Sequence, residues 1–565
     1  MNPKSISEIK LKDLTGRSFY PSPSAWEDQV LYFLMLDRFS DGQENQYHDN
    51  NGDLVTHGIT PPFDKAQPNT VDRELWENQG QGWCGGTLKG LTSKVGYLKR
   101  LGVTAVWISP IFKQVSFQET YHGYGPQNYL DIDPNFGTPQ ELKDLVETAH
   151  DHGLYIILDV IINHSGNVFS YDPDRYRIET DGAEFYHARW DGNPYAIAGF
   201  NDSTGKPTIP FGPADECAWP DGAVWPREFQ ASGTFTGKGE IVNWDHYPEY
   251  LEGDFSDLKD INLGKGPIDH YLPSPALKNL VECYKYWIAF ADLDGFRVDT
   301  VKHMDDGASR FFTSAIHEFT QYIGKENFYL IAEITGGRQF AYEKLESVGM
   351  DAALGIDDIP DRLEYMVKGY RNPADYFNLF RNSMLIHKES HIWFRNKVVT
   401  MFDDHDQVRK GKLKARFCAN DNGHLVILNV LALNATTLGI PCIYYGSEQS
   451  FNGKSLDERD GSDVFLRECM FGGRFGTFQT QNQHFFNEAD PVFQELSKIL
   501  AIRNDNMALR RGRQYLREIS GNGSHFGLPV MFGNEMRSIV PWSRIFNNEE
   551  FVLAINTDYH NARSA

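Results

Sequence analysis

The segment FADLDGFRVDTVKH, residues 290–303, decides the fold. In its second half, DGFRVDTVKH at 294–303, Phe296 and Val298 alternate with Arg297 and Asp299. That period-two pattern predicts a strand at 294–298. Arg297 and Asp299, two residues apart, share one face of it. A guanidinium held there favours the ionised carboxylate, the form a nucleophile requires. A surface salt bridge on an edge strand is the other reading, and the remaining segments decide between the two.

Outward from this strand, apolar runs and helical patterns alternate. VLYFLML at 30–36 and LYIILDVI at 154–161 are continuous apolar runs, as strands buried on both faces should be. VTAVWI at 103–108, FYLIAEI at 328–334, segments 351–356 and 398–402, and GIPCIYYG at 439–446 complete the series. Helices are expected at 92–101, 139–152, 275–292, 307–323 and 488–503. The second of these starts with Thr138 as cap, Pro139 at the first position and Glu141 completing a capping box. Strand–helix alternation repeated about eight times argues for a (β/α)8 TIM barrel. A doubly wound sheet is the alternative, but no GxGxxG follows a strand.

The barrel is assigned to 28–164 and 258–505. Residues 1–27 are a polar leader. From 165 to 257 the chain is rich in Gly, Pro, Trp and Tyr and lacks a helical period, so it reads as an inserted domain after strand 3. Residues 506–565 contain short strand patterns, the start of a C-terminal β-sandwich domain that is short or truncated.

The chain has 565 residues, 41% of them hydrophobic and 13% aromatic, ample for packed cores. A formal net charge of −23 disfavours nucleic acid and anionic membranes as partners. Six scattered cysteines, with no CxxC pair, read as reduced thiols. The N-terminal MNPKSISEIKLKDLTG lacks a signal-peptide core, no run is long enough to span a bilayer, and a cytoplasmic protein is expected. Oligomeric state is not legible.

In such a barrel, residues just past the carboxyl ends of the strands line the active site. Those ends collect Asp37, the HGY of YHGYG (121–125), Asp159, Asn163, His164, Arg297, Asp299, Glu333, His405 and Asp406. Three carboxylates on three strands, Asp299, Glu333 and Asp406, suit glycosidic bond cleavage, in which one attacks the anomeric carbon and a protonated one donates to the leaving oxygen. Crowding raises one pKa and keeps that acid protonated.

DVIINH (159–164), DGFRVDTVKH (294–303), IAEI (331–334) and FDDHD (402–406) resemble, in order, the four main motifs of the α-amylase family, glycoside hydrolase family 13. LKDIN (258–262), YHGY (121–124) and GIPCIYYG (439–446) resemble three more. The resemblance implies Asp299 as nucleophile, Glu333 as general acid/base and Asp406 as the group that holds the sugar hydroxyls. It implies sugar binding by Arg297, His164, His405 and His122, stacking by Tyr124, and Lys302 with His303 on the leaving-group side. It further implies a structural calcium held by Asn163, Asp260 and the backbone carbonyl of His303. A second calcium loop around Asp41 and Asn45 lacks a carboxylate some relatives supply, since Thr87 stands there. Asp404 also stands where the family usually has Asn. The Lys302-His303 pair resembles α-amylases and cyclodextrin glucanotransferases. The expected reaction is retaining hydrolysis of α-1,4-glucosidic bonds in starch, glycogen or maltooligosaccharides. Transglycosylation on the same α-glucans is the alternative, and a non-catalytic binding relative the third.

Overall fold

The computed structural model describes residues 3–64, 76, 80–173, 188–215, 219–380, 395–453, 463–471 and 482–565. Cys217 and parts of the 165–257 insert lie outside them. Among the described residues, eight parallel strands form one sheet: β1 Leu31–Leu34, β2 Ala105–Ile108, β3 Tyr155–Val160, β4 Gly295–Val298, β5 Tyr329–Glu333, β6 Ala352–Leu354, β7 Val399–Thr400 and β8 Ile440–Tyr444. Their order is β6-β5-β4-β3-β2-β1-β8-β7, and a parallel bridge from Ala353 to Val398 joins β6 to β7 and closes the ring. A helix follows each strand: α1 Val95–Leu101, α2 Pro139–Asp151, α3 Pro275–Ala291, α4 Asp306–Tyr322, α5 Arg338–Val348, α6 Asp358–Val367, α7 Ile427–Thr436 and α8 Pro491–Asp505. The open-sheet alternative is thereby excluded.

The continuous apolar runs are strands buried on both sides. All four residues of β1 and of β4 are buried, because one set of side chains faces the helices and the other fills the barrel. Phe33 and Trp107 stack inside it at 3.7 Å between ring centroids, with Tyr444 against Phe33. The capping box of α2 is present as read, Thr138 accepting from the Glu141 N–H and Glu141 returning to the Thr138 N–H. The helix expected at 92–101 begins later, at Val95, and is preceded by a separate turn of helix at Leu88–Thr92.

The N-terminal leader packs on the barrel: Tyr20 stacks on His150 and the Trp26 indole donates to the Asn327 carbonyl. The insert carries an antiparallel pair, Phe169–Tyr171 with Ile197–Phe200. It is clipped to the barrel where His164–Ser165 pairs with Lys259–Asp260. At the C-terminus, β9 Arg513–Leu516, β10 Ile539–Phe546 and β11 Glu549–Asn556 form an antiparallel sheet. It docks on α7 through the buried Arg544, whose guanidinium donates to the Thr436 carbonyl.

Candidate active site

The start of β4 is pinned before its functional residues are reached. Asp292 ends α3 in the left-handed conformation, and the buried Lys325 ammonium binds both Asp292 and Asp294. Beyond that anchor the strand runs to Arg297, whose side chain is 1% exposed. Register places Arg297 opposite Asp159 on β3 and Ile331 on β5, one step before Ala332 and two before Glu333. The guanidinium consequently gathers three acids: Nη1 lies 2.9 Å from Asp159 and 2.6 Å from Asp299, and Nη2 lies 2.9 Å from Glu333. The edge-strand salt bridge is ruled out. Arg297, expected on the sugar, is here a buried organiser of carboxylates, with Trp107 and Tyr124 flanking it.

Burial dominates the acids' protonation. It pushes the Asp299 carboxyl up to about 6 against the pull of Arg297, and that of Asp159 likewise to about 6. Glu333 is pushed further, to about 7, by burial and by the charges of Asp299 and Asp406, with Arg297 opposing. Its other oxygen accepts the Thr300 N–H at 2.9 Å. Asp406 goes the other way. Burial would raise it, but His405, Arg467 and Arg297 together hold its carboxyl well below the usual range. Three acids poised near neutrality, Asp159, Asp299 and Glu333, and one held ionised, Asp406, have separate chemical capacities.

Tyr124 ties the ring of groups together, its hydroxyl meeting Asp159 at 2.9 Å and His405 Nε2 at 3.0 Å. Its ring lies nearly parallel to those of His122 and His405. Burial lowers the histidines, His122 to about 3, His164 to about 4 and His405 to about 4, so all are neutral hydrogen-bonding groups at pH 7. The Nδ1 atoms of His164 and His405 are buried without a hydrogen-bond partner.

Sequence reading missed Arg467. It reaches Asp406 Oδ1 at 2.6 Å and the His405 carbonyl at 3.0 Å from a segment outside every quoted motif. Asp404, the departure from the family pattern, accepts the backbone N–H groups of Asp406 and Gln407. It shapes the loop that presents Asp406. Asp37 does not line the site as expected: it is buried, pairs with Arg38 and accepts from the Cys84 and Gly85 N–H groups.

The acids open into a cleft of about 350 Å³ lined by Tyr124, His164, Trp244, Phe255, Lys302 and Val408 beside Asp299, Glu333 and Asp406. Lys302 is bound to Asp245 of the insert at 2.7 Å, and His303 Nδ1–H donates to the Tyr250 carbonyl, which fixes the Nδ1–H tautomer. Asn163 and Asp260 lie at the junction of barrel and insert, where His164 pairs with Asp260 and the Ile261 N–H donates to the Asn163 carbonyl. Asp260 Oδ2 is buried with no hydrogen-bond partner, as is the Asn163 amide nitrogen, and burial pushes the Asp260 carboxyl well above its usual range. A flipped amide would turn the Asn163 oxygen to that place. These donors fit a hard divalent cation such as calcium. In the second loop the Asn45 side-chain oxygen is buried without a partner, whereas Thr87 caps the helix Leu88–Thr92 by accepting from the Gly90 N–H.

The fold and the site together define a (β/α)8 barrel whose acids converge at the strand ends. The chain belongs to the alpha-amylase family: the model of the alpha-amylase catalytic domain matches residues 33–512. It is 28% identical over 467 residues to an alpha-amylase of Streptomyces lividans, covering 76% of this chain and 47% of that one. It is 27% identical to a cyclomaltodextrin glucanotransferase of Klebsiella oxytoca, covering 81% of this chain and 63% of the relative. It thus spans about half to two thirds of the length of these relatives. The structure of an alpha-amylase from Geobacillus thermoleovorans complexed with acarbose superposes with a TM-score of 0.61 at 21% identity, covering 95% of this chain and 88% of that one. That likeness is one of fold.

Proposed function

We propose that this protein is a retaining glycoside hydrolase that cleaves α-1,4-glucosidic bonds in starch, glycogen or maltooligosaccharides. The observation that carries the reading is the pair of acids on one guanidinium fork, Asp299 on Nη1 and Glu333 on Nη2. Two carboxyls sharing one fork are close together, in keeping with the ~5 Å separation of retaining enzymes rather than the wider spacing that admits a water between them. Asp299, the more acidic of the two, attacks the anomeric carbon. Glu333, half-protonated near neutrality, gives its proton to the glycosidic oxygen. In the second half-reaction Glu333 takes a proton from water, which displaces Asp299. Asp406, kept ionised, and the neutral His122, His164 and His405 receive the sugar hydroxyls, and Tyr124 offers its ring. Lys302 lies on the leaving-group side.

Calcium at Asn163, Asp260 and the His303 carbonyl would neutralise the buried Asp260 carboxylate and brace the insert against the barrel. No helix among the described residues is long and apolar enough to cross a membrane. The five described cysteines are free and buried.

Transglycosylation is the second reading, favoured by Trp244, 42% exposed and packed edge-on to Phe255 beside His303, an aromatic platform for a sugar acceptor. A product profile on a linear maltooligosaccharide decides between them. Shorter products alone, absent with Glu333→Gln, establish hydrolysis; longer or cyclic products establish transfer. No turnover on any α-glucan by the unaltered protein overturns both.

A further inference from the structure

Outside the acid cluster, a second buried group of side chains touches the site indirectly. Trp76, Cys84, Val464, Phe465, Cys469 and Phe471 form an apolar cluster separate from the barrel core. Both cysteines are docked on one dipeptide at the end of β1. The Cys84 N–H donates to the Asp37 carboxylate, and its Sγ accepts from Arg38 Nη1 at 2.8 Å. On the other side, the N–H of Met470, next to Cys469, donates to the Arg38 carbonyl at 2.8 Å. Both thiols belong to this one buried cluster, and burial raises that of Cys469.

We propose that Cys84 and Cys469 are a dithiol–disulfide site, and that its oxidation state sets the position of Arg467. Cys84 is 7% exposed and Cys469 buried completely, so an oxidant meets Cys84 first. The Arg38 guanidinium lies against its sulfur, and in such an exchange the thiolate is the attacking form. The oxidant is a low-molecular-weight disulfide of the glutathione class. The Cys84 thiolate attacks one of its sulfurs and expels one glutathione thiolate. The Cys469 thiolate then attacks the Cys84 sulfur and expels the second. Two protein thiols are oxidised by two electrons, one glutathione disulfide is reduced to two glutathione molecules, and the two protons pass to the departing thiolates.

A covalent S–S bond is shorter than any contact between thiols, so closing it draws the 463–471 segment toward β1. Arg467, two residues from Cys469, holds Asp406 at 2.6 Å and the His405 carbonyl at 3.0 Å. Displacing a group that positions an active-site carboxylate by about 1 Å costs rate rather than affinity. Arg467 is a positioning residue in this scheme, and the effect on rate rests on the glycosidase reading above. The linkage itself does not.

The test incubates the full-length protein in oxidised or reduced glutathione, alkylates free thiols and maps peptides by mass spectrometry, with maltooligosaccharide kinetics on the same samples. The expected result is a Cys84–Cys469 linked peptide in the oxidised sample only, with kcat lowered about tenfold at unchanged KM and restored by dithiothreitol. Cys84→Ser and, independently, Cys469→Ser should be indifferent to the oxidant. Absence of the linked peptide under oxidising buffer overturns the site. A linked peptide with unchanged kcat, or a loss of rate that persists in both serine variants, overturns the coupling to Arg467.

Discussion

Arg297 fixes the distances among Asp159, Asp299 and Glu333, yet burial decides how those acids ionise. A guanidinium alone would hold Asp299 below its ordinary value; in the barrel it stands near 6, with Glu333 near 7. The sign of the pH dependence follows. In the proposed roles, Asp299 takes up a proton below about 6 and attack should stop, and Glu333 loses its proton above about 7 and should leave the departing oxygen unprotonated. A plot of kcat/KM against pH for a maltooligosaccharide should be a narrow bell between these values, and the basic limb should flatten with an aryl glycoside whose phenolate leaves unaided. Arg467 supplies a second prediction at this scale. Arg467→Ala removes a charge-assisted hydrogen bond to Asp406 worth about 1.5–3 kcal/mol, so kcat should fall about tenfold or more. Arg467→Lys should recover part of that, since an ammonium can reach the carboxylate but cannot also hold the His405 carbonyl.

Strand and helix identities were legible because the apolar runs and caps that specify them are local. The alternation of Phe296 and Val298 with Arg297 and Asp299 names both the strand and its inward face, and Thr138, Pro139 and Glu141 name a helix start. Thr138→Ala should therefore lower stability by about 1 kcal/mol in denaturant unfolding and leave kcat unchanged, because the cap serves α2 and touches none of Asp159, Asp299, Glu333 and Asp406. Loops carried less. Asp404 and Asp406 look alike in FDDHD, and only the backbone turn separates a carboxylate that closes the loop from one that faces the cleft. Arg467 had no local signal at all: its partners, Asp406 and His405, lie about sixty positions earlier in the chain. Asp37 misled for a related reason. A strand-end position does not say whether a carboxylate turns to the cleft or to the neighbouring loop, and the Cys84 and Gly85 N–H groups claim this one.

For the whole molecule, the question is what joins the insert to the barrel. Three attachments involve residues that line the cleft: the His164–Ser165 pairing with Lys259–Asp260, the Lys302–Asp245 ion pair, and the His303 contact with the Tyr250 carbonyl. Asp260 sits among them as a buried carboxylate with an unpartnered oxygen, which is costly to leave uncompensated. A divalent cation bound at the proposed site would offset that cost only in the folded state, where Asn163 and Asp260 are brought together, and would add to stability by mass action: about 2.7 kcal/mol at a hundredfold excess over Kd. Removing calcium with a chelator should lower the thermal midpoint by several degrees, and adding calcium, but not magnesium, should restore it. Asp260→Asn should erase the difference between the two conditions while leaving a folded barrel, since the amide needs no counter-charge. If the midpoint of the unaltered protein ignores the chelator and added calcium alike, the orphaned Asp260 oxygen is satisfied by protonation, and the insert is held by its direct contacts.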